Sequence, residues 1–220
     1  MGKSAYQAVI FDLDGVITDT AHYHYLAWRK LAMSLDAPFD AVFNEQLKGI
    51  DRMGSLEHIL ARTAKKYSSE EKLTLADRKN SDYQDLIRNM TPNDLLPGAQ
   101  AALKSVREAG LKVGLASVSK NAFAVLDRLG ISGEFDYVVD AAKISRSKPD
   151  PEIFLTAAKN LGVLPSACIG VEDSVAGLQS IKSSGMYAIG IGDPSILTQA
   201  DRVIPGLDQF NLSEYLIGQA

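Results

Sequence analysis

The chain has 220 residues, of which 46% are apolar and 23% are charged, a balance typical of a globular protein. Its net charge of −4 argues against a general nucleic-acid surface, and no apolar run approaches the ~20 residues of a membrane span. The single cysteine, Cys168, excludes an intrachain disulfide and fits a reducing cytosol. The first residues lack the long apolar segment of a secretory signal, so we expect a cytoplasmic protein without a membrane partner.

The first predicted element is a buried strand over residues 8–11, which is directly followed by Asp12, Asp14 and Gly15. Residues two apart in a strand point to the same side, so both carboxylates leave the strand end close together. Such carboxylates repel each other unless a cation lies between them or one is protonated. The pair predicts a divalent metal site or a general acid, with an ordinary acidic turn as the alternative.

The next part of the chain, as far as about Thr91, has the spacing of helices and no convincing strand. Thr20 is the expected cap of a helix that begins at Ala21. Further helices are predicted over residues 42–47, 55–66 and 68–88. We interpret residues 19–92 as a helical cap domain inserted into an α/β core domain that consists of residues 1–18 and 93–220, with the two chain crossings as hinges.

Strands and helices alternate in the remainder of the chain. Strands are predicted over residues 112–117, 137–139, 167–172, 187–191 and 202–204, and helices over residues 99–109, 121–129, 151–161 and 174–183. This alternation is typical of a doubly wound parallel sheet with helices on both faces. The first strand belongs to the same sheet, although the helical segment separates it from the others.

Polar residues follow several of these strands, and ligands bind at the carboxyl ends of strands in an open parallel sheet. The residues concerned are Asp12, Asp14, Ser117, Ser119, Lys120, Asn121, Glu172 and Asp173, together with Lys148 in a nearby loop. Four carboxylates, lysine and hydroxyl donors in one crevice indicate a site for a metal and an anion. Oxygen ligands without histidine or cysteine favour a hard ion such as Mg²⁺.

This set of side chains predicts phosphoryl transfer. Asp12 is the candidate nucleophile, which attacks phosphorus and forms an aspartyl-phosphate. Lys148 and the Ser117 hydroxyl are expected to hold the phosphate oxygens as negative charge spreads over them. Asp14 is expected to donate a proton to the leaving oxygen and to accept one from the attacking hydroxyl.

These residues resemble, in order and spacing, the four motifs of the haloacid dehalogenase (HAD)-like phosphotransferases. The motifs are Asp12-Leu13-Asp14-Gly15-Val16, Ser117, Lys148-Pro149 and Glu172-Asp173. The resemblance implies a HAD-like, Rossmann-like core with an inserted helical-bundle cap. It also implies metal ligation by Asp12, Asp14, Glu172 and Asp173, with Asp14 contributing its backbone carbonyl.

Further segments resemble the β-phosphoglucomutase family: residues 12–20 with His24 and Trp28, residues 43–49, residues 78–80 and residues 116–121. The resemblance implies an isomerase that interconverts β-glucose 1-phosphate and glucose 6-phosphate through a bound bisphosphate. By the same resemblance, Arg52 holds the distal phosphate, with core-side contacts from Ser119, Lys120 and Asn121. His24 and Lys79 orient and activate from the cap, and Gly49 and Ile50 line the sugar pocket. Trp28 is assigned to the same pocket, with hydrophobic packing as the alternative.

Two positions differ from the pattern that the resemblance suggests. Val118 stands where a small alanine is familiar, and Asp51 stands beside Arg52 in a loop expected to contact substrate. The alternatives are therefore a mutase for another hexose or for a disaccharide phosphate, a sugar-phosphate phosphatase, and a non-catalytic sugar-phosphate sensor. The expected partners are small sugar phosphates and bisphosphates, with no nucleic acid, and the expected oligomeric state is a monomer.

Overall fold

A six-stranded parallel sheet forms the centre of the protein in the computed structural model, which describes residues 6–216. The strands are β1 (Ala8–Phe11), β2 (Lys112–Leu115), β3 (Tyr137–Val138), β4 (Cys168–Glu172), β5 (Tyr187–Ile191) and β6 (Arg202–Ile204). Their order in space is β3-β2-β1-β4-β5-β6, and every neighbouring pair is parallel. The order reverses between β1 and β4, and the carboxyl ends of strands at such a reversal form a ligand crevice.

Helices cover both faces of this sheet, as the alternation of elements predicted. The helices are α1 (Thr20–Ser34), α2 (Ala41–Glu45), α3 (Arg52–Leu60), α4 (Ser69–Ile87), α5 (Ala99–Glu108), α6 (Ala122–Arg128), α7 (Glu152–Leu161), α8 (Val175–Ser183) and α9 (Ser213–Leu216). Val9 and Phe11 pack in one apolar cluster with α5 and α6, whereas Ala8 and Ile10 pack in another with α7 and α8. Alternate residues of β1 thus serve opposite faces, which is why this strand is apolar throughout.

The helices α1 to α4 follow β1 and have an apolar cluster of their own, which includes Trp28, Leu31, Phe43, Leu56 and Ile59. Every residue from 19 to 92 is described, and none of them lies in a β-strand. Hydrogen bonds join the two places where the chain enters and leaves this segment. Leu96 N donates to the Ile17 carbonyl at 2.9 Å, and Thr18 Oγ1 donates to the Asp94 carbonyl at 2.6 Å. The entry and exit of the helical segment are therefore held side by side.

Several helix ends differ from the predicted ones by one or more residues, and at three of them a side chain competes for the backbone. Asp19, rather than Thr20, caps α1 and accepts from His22 N at 3.3 Å. Asp51 accepts from Met53 N at 2.8 Å, so α3 begins at Arg52 instead of residue 55. The same helix ends at Leu60, whose carbonyl accepts from Thr63 Oγ1 at 2.8 Å.

The two ends of the chain differ from the predictions or lie outside the described residues. The helix α9 has no counterpart in the sequence interpretation. Residues 1–5, on which the expected absence of a secretory signal rests, and residues 217–220 lie outside the described part. None of the helices within residues 6–216 combines the length and the apolar character needed to cross a bilayer.

Candidate active site

Three carboxylates meet at the carboxyl ends of β1 and β4. The two strands pair in register, with Phe11 opposite Val171, so the next residues, Asp12 and Glu172, are neighbours. Asp12, Glu172 and Asp173 each offer an oxygen, and these oxygens lie within 4.8 Å of one another. Asp12 and Glu172 are almost completely buried. The crevice expected from the strand order therefore contains a compact acidic group.

Lys148 is the buried counter-charge of this group. Its Nζ lies 2.8 Å from Asp12 Oδ1 and 3.4 Å from Glu172 Oε2. Burial alone would lower the pKa of Lys148, but the charges of Asp12 and Glu172 outweigh that effect and raise the pKa. Lys148 is consequently a permanent cation next to the predicted nucleophile.

The acidic group fits a hard divalent cation. Burial, and after it the charge of Asp12, raises the pKa of Asp173 to about 7 and the pKa of Glu172 well above its ordinary value. Lys148, together with Lys48 at 3.6 Å from Asp173, still leaves the three carboxylates short of positive charge, and all their donor atoms are oxygens, the ligands that Mg²⁺ prefers. Glycines make the room: a Cβ at Gly15 would lie 2.2 Å from Asp173 Oδ2, and one at Gly177 would lie 1.9 Å from Glu172 Oε1.

Asp14 faces the helical segment instead of the acidic group. Its carboxylate accepts a short hydrogen bond from Thr20 Oγ1, and its Oδ1 lies 3.7 Å from His24 Nε2. Burial, followed by the charges of Asp12 and Asp173, raises the pKa of Asp14 to about 8. A protonated carboxyl can therefore persist there at neutral pH. The Asp14 side chain lies outside the group of three, so its metal contact through the backbone carbonyl stays a prediction.

The turn after β2 supplies polar groups at the same edge of the sheet. Ser117 is buried, and its Oγ accepts from Ser119 N at 3.1 Å. Ser119 Oγ in turn accepts from Asn121 N at 3.3 Å. Ser119 and Asn121 are buried, whereas Lys120 is exposed. The hydroxyls of Ser117 and Ser119 are thus each oriented by a backbone N–H two residues further along the chain.

A cavity of about 380 Å³ lies between the sheet edge and the helical segment. Its walls include these predicted site residues: Asp12, Asp14, His24, Trp28, Gly49, Ile50, Arg52, Lys79, Ser119, Lys120, Asn121 and Asp173. The remaining predicted residues, Ser117, Lys148 and Glu172, are buried, with Lys148 bonded to Asp12 and Ser117 to the Ser119 amide. The geometry therefore brings the predicted set together around one volume.

The wall formed by the helical segment carries two basic side chains in contact, of which Lys79 is buried and His24 is partly exposed. Lys79 Nζ lies 2.6 Å from His24 Nδ1 and 4.5 Å from the centre of the Trp28 ring. Burial, and then the charge of Arg52, lowers the pKa of Lys79 to about 7. Burial, and then Lys79, also lowers the pKa of His24 well below its ordinary value. His24 therefore remains neutral and directs its Nε2 towards Asp14.

Several residues of the site were not assigned a role from the sequence. Tyr83 stacks on His24 with ring centres 4.0 Å apart. Lys48 Nζ lies 3.6 Å from Asp173 Oδ2, and Asn80 Oδ1 accepts from Arg52 at 2.7 Å. Helical spacing offered one signal, because Tyr83 lies one turn after Lys79 on the same face of α4.

Comparison with known proteins agrees with this geometry. Residues 6–185 match the family model for haloacid dehalogenase-like hydrolases. The chain is 50% identical to the β-phosphoglucomutase of Bacillus subtilis, over 90% of this chain and 88% of that protein. It is 30% identical to a phosphorylated carbohydrates phosphatase of Thermotoga maritima, over 83% of both chains.

A solved structure is similar over nearly the whole length. The crystal structure of β-phosphoglucomutase from Clostridium difficile matches with a TM-score of 0.92 and 47% identity, covering 96% of this chain and 97% of that one. The similarity includes the parallel sheet and the helical segment that follows β1. The chain therefore belongs to the haloacid dehalogenase-like hydrolase family and, within it, to the β-phosphoglucomutases.

Proposed function

We propose that this protein interconverts β-D-glucose 1-phosphate and D-glucose 6-phosphate, as a magnesium-dependent phosphomutase that works through phosphorylated Asp12 and β-glucose 1,6-bisphosphate. The observation that carries the proposal is one cavity with two unlike carboxylates. Asp12 is bonded to Lys148 at 2.8 Å, whereas Asp14 has a pKa raised to about 8 by burial and by Asp12. Such a pair separates the roles of nucleophile and acid.

In the proposed reaction an oxygen of Asp12 attacks phosphorus, and the bond between phosphorus and the sugar oxygen breaks. Lys148 offsets the charge on the nucleophile and on the phosphate, and Ser117 is proposed to donate to a phosphate oxygen. When bound by Asp12, Asp14, Glu172 and Asp173, Mg²⁺ would supply positive charge that offsets the repulsion between carboxylate and phosphate.

Asp14 is the proposed acid and base. In its protonated form it donates to the sugar oxygen that leaves phosphorus, and the resulting carboxylate accepts the proton of the sugar hydroxyl that attacks phospho-Asp12. Thr20 and His24 contact this carboxyl from the helical segment. The acid is thus oriented by residues outside the core, which links its action to the position of the cap.

We further propose that the sugar lies between the acidic group and the cap. Arg52 is the proposed ligand of the distal phosphate, together with Ser119, Lys120 and Asn121. His24 and Lys79 orient the sugar, and Trp28, Gly49 and Ile50 line its pocket. A cavity of about 380 Å³ is in the range of small-molecule sites.

The proposed domains are a cap of residues 19–92 and a core of residues 1–18 and 93–220. Contacts that support a closed cap run from Lys48 to Asp173 at 3.6 Å and from Gly49 to Ser174, where an added Cβ would lie 2.6 Å from the hydroxyl. A closed cap excludes water from phospho-Asp12, so the phosphoryl group passes to a sugar hydroxyl. A cytoplasmic monomer that acts on small sugar phosphates, without nucleic-acid or membrane partners, completes the proposal.

The test is a coupled assay with β-glucose 1-phosphate, a trace of the bisphosphate and Mg²⁺. We expect glucose 6-phosphate to form, and Asp12→Asn to abolish its formation. Release of inorganic phosphate without glucose 6-phosphate would overturn the mutase and favour a phosphatase. That second candidate is favoured by the 30% identity to a phosphorylated carbohydrates phosphatase.

A further inference from the structure

One side-chain oxygen joins the helical segment to the sheet edge within the cavity. Asn80 Oδ1, on α4, accepts from the Arg52 guanidinium at 2.7 Å and from Asn121 Nδ2 at 2.9 Å. Arg52 begins α3, whereas Asn121 lies directly before α6 of the core. A cap cation and a core amide are thus held on the same acceptor.

The opposite end of the Asn121 amide is also held. Gln84, one turn after Asn80 on α4, donates from Nε2 to Asn121 Oδ1 at 3.1 Å. With its oxygen and one N–H engaged, Asn121 retains a single N–H for a ligand. The orientation of this amide is therefore set by two residues of the cap.

The donors that remain form no ion pair, although the charge of Asp77 acts on Arg52 from beyond salt-bridge distance. Within residues 6–216 Arg52 forms no salt bridge, although Asn80 takes one of its N–H groups. Arg52, Asn80 and Asn121 all line the cavity. A guanidinium without a salt bridge and an amide N–H that lie on the same acceptor in one cavity suit the oxygens of a phosphate.

We propose that Asn80 is a positioning residue that assembles the second phosphate subsite from Arg52 of the cap and Asn121 of the core. The inference rests on the proposed function and adds a residue that acts through the two phosphate ligands. The bond to Arg52 lies within the cap, whereas the bond to Asn121 crosses from the cap to the core, so the subsite is complete only when the cap is closed. Loss of Asn80 should therefore weaken binding of the phosphorylated sugar without altering chemistry at Asp12.

The experiment measures glucose 6-phosphate binding to the Mg²⁺-loaded protein by calorimetry, and phosphorylation of Asp12 by acetyl phosphate. We expect Asn80→Ala to weaken binding about tenfold, the effect of losing hydrogen bonds that orient a charged contact. Acetyl phosphate needs no second subsite, so its reaction rate should change less than about twofold. The control is Ser81→Ala, at the exposed neighbouring position of α4, which should leave both quantities unchanged.

Two further variants separate positioning from folding. Gln84→Ala, at an exposed position, removes only the bond to Asn121 Oδ1 and should weaken binding about threefold. In a double-mutant cycle, Asn80→Ala should cost much less affinity in an Asn121→Ala background than alone, since the two residues act as a unit. Additive effects in this cycle would contradict the proposal.

The remaining outcomes distinguish this inference from the function on which it rests. Normal binding by Asn80→Ala would overturn the role of Asn80 alone. A parallel loss of binding and of acetyl phosphate reactivity would show a merely structural residue. A wild-type protein that reacts with acetyl phosphate but does not bind glucose 6-phosphate would overturn the proposed function, and the Asn80 inference with it.

Discussion

Lys79→Met should make the protein more stable and less active. Lys79 is only 2% exposed, with its Nζ 2.6 Å from His24 Nδ1 and 4.9 Å from the centre of the Tyr83 ring. No carboxylate lies within salt-bridge distance of this ammonium in the described chain. Methionine has a similar length and no charge, so the substitution keeps much of the packing and removes the desolvated group.

The magnitude follows from the displaced pKa. Burial, and then Arg52, lowers the pKa of Lys79 from 10.5 to about 7. Between these values the unfolded chain binds more protons than the folded one, so the free energy of unfolding of the wild type rises with pH. Relative to an exposed lysine, Lys79 costs about 4 kcal/mol at pH 7 and about 3 kcal/mol at pH 8, and almost nothing above pH 10.5.

Urea denaturation in EDTA at pH 7, 8 and 9 measures this difference. The stability gained by Lys79→Met should be largest at pH 7 and should shrink by about 1.4 kcal/mol per pH unit above pH 8. Lys120→Met, at an exposed position, is the matched control and should show no such pH dependence. A variant that is no more stable than the wild type at pH 7, or a gain that does not vary with pH, would refute the reasoning.

The remaining predictions concern the acidic group. Lys148→Ala should destabilise by about 3–5 kcal/mol in urea, because Asp12 and Glu172 stay buried without their cation, and should abolish labelling by acetyl phosphate; unchanged stability would contradict this. Gly177→Ala should weaken Mg²⁺ binding in calorimetry, because its Cβ would lie 1.9 Å from Glu172 Oε1, whereas Gly133→Ala, where nothing lies within 4 Å, should not. Burial and Asp12 raise the pKa of Asp173 to about 7, so the metal-free fold binds the additional proton. The stability of the metal-free protein should fall as pH rises from about 4 to 7, and Mg²⁺ should raise the melting temperature more at pH 7 than at pH 5. An equal increase in melting temperature at both pH values would contradict this prediction.

The strand-end residues could be predicted from the sequence because the topology of a parallel sheet leaves little freedom. Once residues 8–11 and 167–172 are read as neighbouring strands, Asp12 and Glu172 must come out at the same edge. Their spacing in the chain carries no information about distance, but the alternation of strands and helices does. The same argument explains why Lys148, which lies in a loop, needed the motif pattern in addition to the topology.

The contacts within the cap could not be predicted in the same way. Lys79 and His24 lie on different helices, and their approach to 2.6 Å depends on how α1 packs against α4. Periodicity shows which face of a helix is apolar but not which residues of two helices meet. The predicted start of α3 was wrong for a related reason. Asp51 and Ser55 are both residue types that cap helices, and the structure shows that Asp51 accepts from the backbone N–H groups of Met53 and Gly54.

The position of the cap relative to the core affects whether phospho-Asp12 reacts with a sugar hydroxyl or with water. The relatives at 50% and 30% identity are a mutase and a phosphatase. Membership of the family is therefore compatible with phosphoryl transfer to a sugar and with transfer to water. Two of the polar contacts across the boundary run from Lys48 to Asp173 and from Asn80 to Asn121. Both end on residues assigned to metal or phosphate. Ligands of those residues thus act on contacts that join the cap to the core, and we expect a substrate with two phosphates to favour closure more than one with a single phosphate.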